Sequence, residues 1–359
     1  MNNSLSELKR LLKKRQPVFQ RVNDAIEEGR VGVWGYGFLG KWLLANWGNL
    51  ANKPPVIFDI NALKLSADFN IEILLPNAIP SSCDAVLIGA RHNVTEISDK
   101  LNNIGMPCIS VDEFFVHLLF EEYQRALGEF ADDKSKRTLL CILNSIIDGK
   151  VVCEELVGNM YFEPQEFFPS FDDTFIDAGA YTGDTLEDFI KINIGTFEKI
   201  VCFEPGEAQF QRLKNRKTEI LKNWIINEER IVLERKGVGK ESRVAWFDAS
   251  ATDSMAHHFS KAKKSDKDGK IDILSLDDYL QGRPATFLKS DVEGADLDFL
   301  KGSLETIQRF LPRLAISCYH YPTDLVDMLD LIKNLDCGYK FKLRHHARVL
   351  GDYVLYGYR

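Results

Sequence analysis

The sequence predicts an α/β protein built from two mostly parallel, doubly wound units. Three observations carry that reading. Short apolar runs alternate with segments of helical period along most of the chain. Twice, from Val31 and again from Thr174, such a run flows into a glycine-rich turn and then a helix. In each half the next apolar run closes on an acidic residue, Asp59 or Glu204. A length of 359 residues fits about two domains. With 45% hydrophobic and 27% charged residues the composition is that of an ordinary globular protein. It excludes a disordered, collagen-like or low-complexity chain for the bulk of the sequence.

Taken in order, residues 4–28 read as an amphipathic helix, with Leu5, Leu8, Leu11, Leu12, Val18, Phe19, Val22 and Ile26 sharing faces opposite Lys and Arg. A basic amphipathic helix can lie on a membrane; packing on its own domain is the favoured reading. A strand, turn and helix follow from Val31, then strands at Pro55–Asp59, Asp84–Gly89 and Pro107–Val111, with a helix at Val94–Ile104. This alternation predicts a small, mostly parallel sheet. Residues 114–149 are helical in pattern. The second half offers strands at Thr174–Tyr181, Lys199–Phe203 and Arg230–Glu234 and a helix at Glu207–Lys217. Residues 240–285 read as an irregular insertion with short β-like runs. Strands at Thr286–Ser290 and Arg313–Cys318 and helices from Asp296 and at Thr323–Leu335 come next. Two alternating aromatic runs, Tyr339–Arg344 and Asp352–Tyr358, predict a closing hairpin on the sheet edge. The expected division is a helix at 1–28, a first α/β unit at 29–120, connecting helices at 121–150 and a second α/β unit at 151–359.

With 45 Lys and Arg against 53 Asp and Glu, the formal net charge is −8. That disfavours a broad electrostatic grip on nucleic acid and leaves room only for a local basic patch. The longest apolar runs, such as Ala85–Ala90, are too short to span a bilayer. Lys13, Lys14 and Arg15 follow Leu11 and Leu12 at once, so the beginning of the chain lacks the apolar stretch of a secretory signal. Seven cysteines (83, 108, 141, 153, 202, 318 and 337) form no CxxC pair. They read as reduced thiols of a cytoplasmic protein, with no zinc site.

The most informative segment is Phe175-Ile176-Asp177-Ala178-Gly179-Ala180-Tyr181-Thr182-Gly183-Asp184. A strand ends in D-x-G-x-x-x-G and a helix begins directly after. Small residues there let the backbone approach a ligand at the carboxyl end of the first strand. The pattern differs from G-x-G-x-x-G and suits a ligand with an amino acid and a nucleoside rather than a pyrophosphate. Glu204-Pro205 ends the next strand, where a carboxylate can accept hydrogen bonds from both ribose hydroxyls. The segments IDAGAYTGD, CFEPGEAQFQRLK, LSLDDYL, LKSDVEGADLDFLKG and ISCYHYPTDLVDMLDLIK, in that order, resemble the FkbM family of S-adenosylmethionine-dependent methyltransferases. The resemblance spans roughly residues 160–359. It implies a class I methyltransferase fold, a seven-stranded Rossmann-like sheet with an antiparallel edge hairpin, and S-adenosyl-L-methionine as cofactor. By that resemblance Asp177, Ala178, Gly179, Ala180, Tyr181, Gly183 and Asp184 form the cofactor loop. Glu204 and Pro205 lie at the ribose, Gly237 and Val238 near the adenine, and Asp291 at the methionine end and the acceptor. It also implies O-methylation, with a sugar, a polysaccharide precursor or a related small molecule as acceptor.

Asp291, Glu293 and His320 sit at strand ends on the ligand side and are the catalytic candidates. A hydroxyl acceptor benefits from a base, and an imidazole titrates near neutrality. The alternative for His320 is a hydrogen-bonded structural role; for Asp291 and Glu293 it is cofactor orientation and helix capping. The three could instead hold Mg²⁺, which prefers hard oxygen ligands. Spacing alone does not show convergence, so no metal is assigned. The charged run Lys261–Lys270 reads as a solvated loop, or as a lid over the acceptor. His257-His258 and His345-His346 read as surface or hydrogen-bonded pairs.

In the first half, Gly35-Tyr36-Gly37-Phe38-Leu39-Gly40 is a G-x-G-x-x-G between strand and helix, with Asp59 about 20 residues on. Gly35, Gly37, Gly40 and Asp59 are therefore candidates for a second nucleotide site. Trp34 and Tyr36 crowd the turn, and no hydride-transfer constellation follows. This segment loosely resembles the small Rossmann-like amino-terminal domain of some FkbM-type and other sugar-modifying proteins, where it would bind a nucleotide or present substrate. The rival functions are an NAD(P)-dependent oxidoreductase working through this domain, and a non-catalytic cofactor- or nucleotide-binding protein. The expected partners are a small-molecule or carbohydrate acceptor, with no nucleic acid and no membrane span; a homodimer is compatible with the pattern.

Overall fold

The computed structural model of the protein describes residues 4–69, 72–149, 158–248 and 268–359. His257-His258, most of Lys261–Lys270, Cys153 and the expected start of the second unit at 151 lie outside the described residues. The first sheet comprises β1 (Val31–Trp34), β2 (Val56–Phe58), β3 (Ala85–Ile88) and β4 (Cys108–Ser110), in the order β2-β1-β3-β4. All three pairings are parallel. β1 and β3 are buried along their whole length, as expected of parallel strands covered by helices on both faces.

The second sheet has seven strands: β5 (Thr174–Ala178), β6 (Lys199–Phe203), β7 (Ile231–Glu234), β11 (Phe287–Ser290), β12 (Arg313–Ser317), β13 (Lys340–His345) and β14 (Tyr353–Tyr358). Their order is β13-β14-β12-β11-β5-β6-β7. β14 runs antiparallel to both its neighbours, which is the edge hairpin the aromatic alternation predicts. From β5 the chain builds outward through β6 and β7, then returns to the other side of β5 with β11. That reversal leaves a crevice at the carboxyl ends of β5 and β11, where ligands of open α/β sheets bind.

Within the expected insertion at 240–285, the described residues carry the short β-like runs as strands of a small sheet. β8 (Gly237–Val238), β9 (Arg243–Asp248) and β10 (Asp268–Leu274) form a three-stranded sheet, β8-β10-β9. Ala245, Ile271 and Ile273 alternate inward and make a small core of their own. The helix after β6 also runs further than expected, over Glu207–Asn223.

The first helix, Leu5–Glu27, opens on Ser4, whose hydroxyl accepts from the Glu7 amide. It does not pack on its own unit alone. Leu8, Leu11 and Leu12 enter the core beneath the seven-stranded sheet, together with Leu139, Leu143 and Ile316. Val22, Ala25 and Ile26 pack against the first sheet. One amphipathic face therefore joins both units. The helix Asp133–Asp148 is seated in the same core. Asp132 caps it, accepting from the Ser135 amide, and Gly149 ends it at φ +68°. Arg344 of β13 ties it down by pairing with Asp132 and Glu163. No helix among the described residues is long and apolar enough to cross a membrane.

Leu8→Ala is expected to cost about 2–5 kcal/mol, the range for emptying a leucine site in a packed core. Urea unfolding followed by the fluorescence of Trp224, in the second unit, should report the loss, because the missing contacts lie in that unit's core.

Candidate active site

The crevice at the switch point opens into a cavity of about 390 Å³, within the range typical of small-molecule sites. Its floor is the turn after β5. Gly179 adopts φ +77°, and a Cβ there would lie 1.9 Å from the Asp291 carbonyl oxygen. Only glycine lets the ends of β5 and β11 approach so closely. Gly183 is required by its backbone, at φ +85°, more than by space, since a Cβ would meet only the Leu213 side chain at 2.7 Å. Gly179, Tyr181 and Asp184 face the cavity, as do Glu204, Pro205, Gly237, Val238, Asp291 and Glu293. Ala178, Ala180 and Gly183 shape the turn without lining it.

Glu204 is buried at the end of β6. Its Oε2 accepts from the Tyr181 amide at 2.9 Å and its Oε1 from the Gly206 amide at 2.7 Å. Burial pushes its carboxyl up to about 7, against the two amides that favour the charged form. Each oxygen keeps a lone pair for a ligand hydroxyl.

Asp177 is not at the cavity wall. It is fully buried, and its Oδ1 lies 2.9 Å from Nζ of Lys289 on β11. Lys289 also donates to the carbonyl of Gly179 at 2.8 Å and more weakly to that of Ala178 at 3.4 Å. Its ammonium stands 5.0 Å from the centre of the Tyr161 ring. Burial opposes the charge on Lys289, but Asp177 and Asp291 hold its pKa above the ordinary lysine value. Sequence reasoning missed this residue. Its signal was a lone lysine inside a strand otherwise buried on both faces, which folding tolerates only with a partner.

At the far end Asp291 accepts from the Tyr161 hydroxyl at 2.8 Å and from that of Tyr319 at 3.4 Å. His320 lies behind this wall, almost fully buried. Its Nε2 faces Glu293 at 3.4 Å and Asp291 at 3.7 Å, and its Nδ1 lies 3.1 Å from Asp296. Burial works against its charge, yet Asp296, Glu293 and Asp291 raise its pKa well above the usual histidine value. Carboxylates on both sides thus favour the protonated ring, which has no lone pair to offer. Among the described residues no group of three or more His, Cys, Asp or Glu is arranged to hold a metal ion.

Tyr161, Asn159 and Asp352 also line the cavity and went unread in the sequence, because they lie in loops without period. Backbone strain marks them instead. Nine non-glycine residues among those described have positive φ, and five of them, Asn159, Tyr161, Tyr181, Glu293 and Asp352, surround this one cavity. Such conformations cost energy and concentrate at functional sites.

In the first unit Gly35 adopts φ +109°, and a Cβ on Gly40 would lie 2.0 Å from the Gly35 carbonyl oxygen. Gly37 begins the next helix facing open space. Asp59 accepts from the Tyr36 amide at 2.9 Å and the Asn61 amide at 2.8 Å. Gly35, Gly40 and Asp59 thus hold the turn together, and Gly37 leaves its mouth open.

Lys289→Met should destabilise the protein by about 3–5 kcal/mol, because it strands the Asp177 carboxylate in the core. Asp177→Asn in the same chain should recover part of the loss. Chemical denaturation of the two single variants and the double variant measures the coupling.

Residues 177–341 match the family model of the methyltransferase FkbM domain. A protein of Jannaschia sp. (strain CCS1), described as "putative methyltransferase", is 31% identical over 64 residues, 18% of this chain. That match spans 23% of the relative's length. A crystal structure of methyltransferase FkbM from Methylobacillus flagellatus KT superposes with a TM-score of 0.61 at 21% identity, covering 98% of both chains. That likeness extends the shared fold to the first unit as well. The sequence likeness to the FkbM methyltransferase domain thus lies in residues 177–341, within a fold shared over the whole chain.

Proposed function

We propose that this protein transfers a methyl group from S-adenosyl-L-methionine to an acceptor hydroxyl, on a sugar, a polysaccharide precursor or a related small molecule. The observation that carries the reading is the buried Glu204 carboxylate, held at the cavity wall by two backbone amides at the end of the second strand. The cradle fits the cofactor: Gly179 leaves the floor free of a side chain, and Glu204 presents the acceptor set that a ribose diol requires. Gly237 and Val238 offer a small, apolar contact for the adenine. Bound there, S-adenosyl-L-methionine supplies a sulfonium-activated methyl group, so that transfer depends mainly on alignment.

Asp291 is the residue assigned to the acceptor's proton. It lies on the cavity wall, is oriented by Tyr161 and Tyr319, and its pKa is raised by burial against the pull of His320 and Lys289. A carboxylate so shifted is a better proton acceptor than an ordinary aspartate. Glu293, beside it, holds the acceptor. His320 acts through them: its positive charge keeps Glu293, Asp291 and Asp296 together. The acceptor class and the oxygen specificity rest on the family likeness.

Calorimetric titration with S-adenosylhomocysteine tests the assignment, and a folded sample that fails to bind it would sink the proposal. Affinity should depend on pH in a defined sense. Ribose hydroxyls favour the ionised form of Glu204, whose carboxyl stands at about 7 in the empty protein. Binding then releases a proton below that value. Affinity should rise about tenfold between about pH 6 and about pH 8 and flatten above. Glu204→Gln should weaken binding and abolish the slope. The same shift means that the empty fold binds more protons than the unfolded chain between about pH 4.5 and about pH 7, so Glu204 lowers stability as pH rises through that window.

A further inference from the structure

The turn that follows β12, Tyr319-His320-Tyr321-Pro322, carries the back of the acceptor wall, and several of its contacts reach into the other unit. Arg91, at the end of β3, pairs with both oxygens of Asp112 and donates its remaining NH1 to the Tyr319 carbonyl at 2.9 Å. Tyr123, from the connecting helices, donates to the Pro322 carbonyl at 2.7 Å. The Tyr321 ring stacks on Phe38 at 4.9 Å and 2° and on Trp42 at 5.1 Å and 13°. Both partners lie on the helix that begins at Gly37. The Phe38 ring also meets His320 edge-on at 6.1 Å.

On its other side Tyr321 presses against the active site. Gly294 has φ +92°, and a Cβ there would lie 2.7 Å from the Tyr321 hydroxyl oxygen. The preceding residue is Glu293, itself strained at φ +53° and facing the cavity. The carboxyl ends of the two sheets therefore meet at this turn. A contiguous chain of packed groups runs from Trp42 and Phe38 through Tyr321 to Gly294 and Glu293.

We infer that the amino-terminal unit is a positioning element of the methyl-transfer site, holding the Asp291–Gly294 wall in shape through the Phe38–Tyr321–Trp42 stack and the Arg91 hydrogen bond. A strained turn persists only when its surroundings over-determine it, and here the second unit supplies only part of that restraint. The role assigned to the wall rests on the proposed methyl transfer; the restraint itself rests on the packing. Glu204, on the opposite side of the cavity, is held by its own unit alone and lies outside this chain of contacts.

Hydrogen exchange resolved by mass spectrometry tests the inference on the full-length protein without cofactor. The Val292 and Gly294 amides donate to Asp296 and report on the wall. The Tyr181 and Gly206 amides donate to Glu204 and report on the far side. In Trp42→Ala and in Tyr321→Ala, exchange at 292–294 should quicken about tenfold while 181 and 206 stay at wild-type rates. Tyr321→Phe, which keeps the stack, should restore the slow rate. Unchanged exchange at 292–294 in both alanine variants would overturn the inference. So would acceleration spread evenly over both sides of the cavity, the mark of general loosening. A wild-type protein that binds no S-adenosylhomocysteine strikes the methyl-transfer reading alone, since the exchange comparison involves no ligand.

Discussion

One buried ammonium organises the carboxyl-terminal half of this molecule. Lys289 reaches from β11 beneath the turn after β5, pairs with Asp177 and binds the carbonyls of Gly179 and Ala178. Two ions in a core are expensive to desolvate, and the pair holds only because hydrogen bonds complete the lysine's shell. The reward is geometric. The same contacts lock two strand ends at a distance that only Gly179 permits, and those ends define the crevice. Asp177 therefore works from behind the loop, and the side chain that meets the cavity from this cluster is Lys289.

The cavity's field follows from what remains uncompensated. Asp184, Asp188, Glu204, Asp291, Glu293 and Asp352 line it against Lys236 and Lys289. Lys289 is engaged with Asp177, and Lys236 with Glu234. Carboxylates outnumber ammonium groups on this wall, and His320 behind it offsets only part of their charge, so a cationic ligand is favoured over a phosphodiester. The whole-chain charge of −8 only hinted at this; the arrangement of a few carboxylates decides it. His320 belongs to the same economy of charge. Three acidic groups crowd within 4 Å of its ring, and without its positive charge they would repel one another.

Most of the fold was legible because parallel strands buried on both faces read as short apolar runs, and each βα turn announces itself by glycine. Phe175–Ala178, Ile200–Phe203 and the edge hairpin all emerge from pattern alone. The small sheet at 237–274 was harder. Its strands carry charged residues among the apolar ones, and Ala245, Ile271 and Ile273 make only a small buried face. Of the site, the glycine loop and Glu204 could be read, because backbone approach and a strand-end carboxylate leave fixed spacings. Tyr161 and Asp352 could not. Tyr161 reaches the cavity from a strained loop held by Tyr356, far away in sequence, and Asp352 is itself the strained residue just before β14. His320 was visible as a residue, but its charge state depends on Asp296 and Glu293 closing on it in three dimensions.

The two units share a glycine turn followed by an acidic strand end, and the acidic side chain serves the same local purpose in both. Asp59 accepts from Tyr36 and Asn61, and Glu204 accepts from Tyr181 and Gly206. In each unit the carboxylate takes one amide from the glycine turn and one from two residues beyond itself. The shared demand is local: a tight turn leaves backbone donors that need an acceptor. The units part company at the end of the first strand. There the second unit places Asp177, which recruits a buried lysine and opens the crevice. The first places Trp34, which packs into an apolar core with Phe58 and Ile88. An ionic pair beneath the turn, rather than the glycines above it, is what distinguishes the turn that floors the cavity from its counterpart in the first unit.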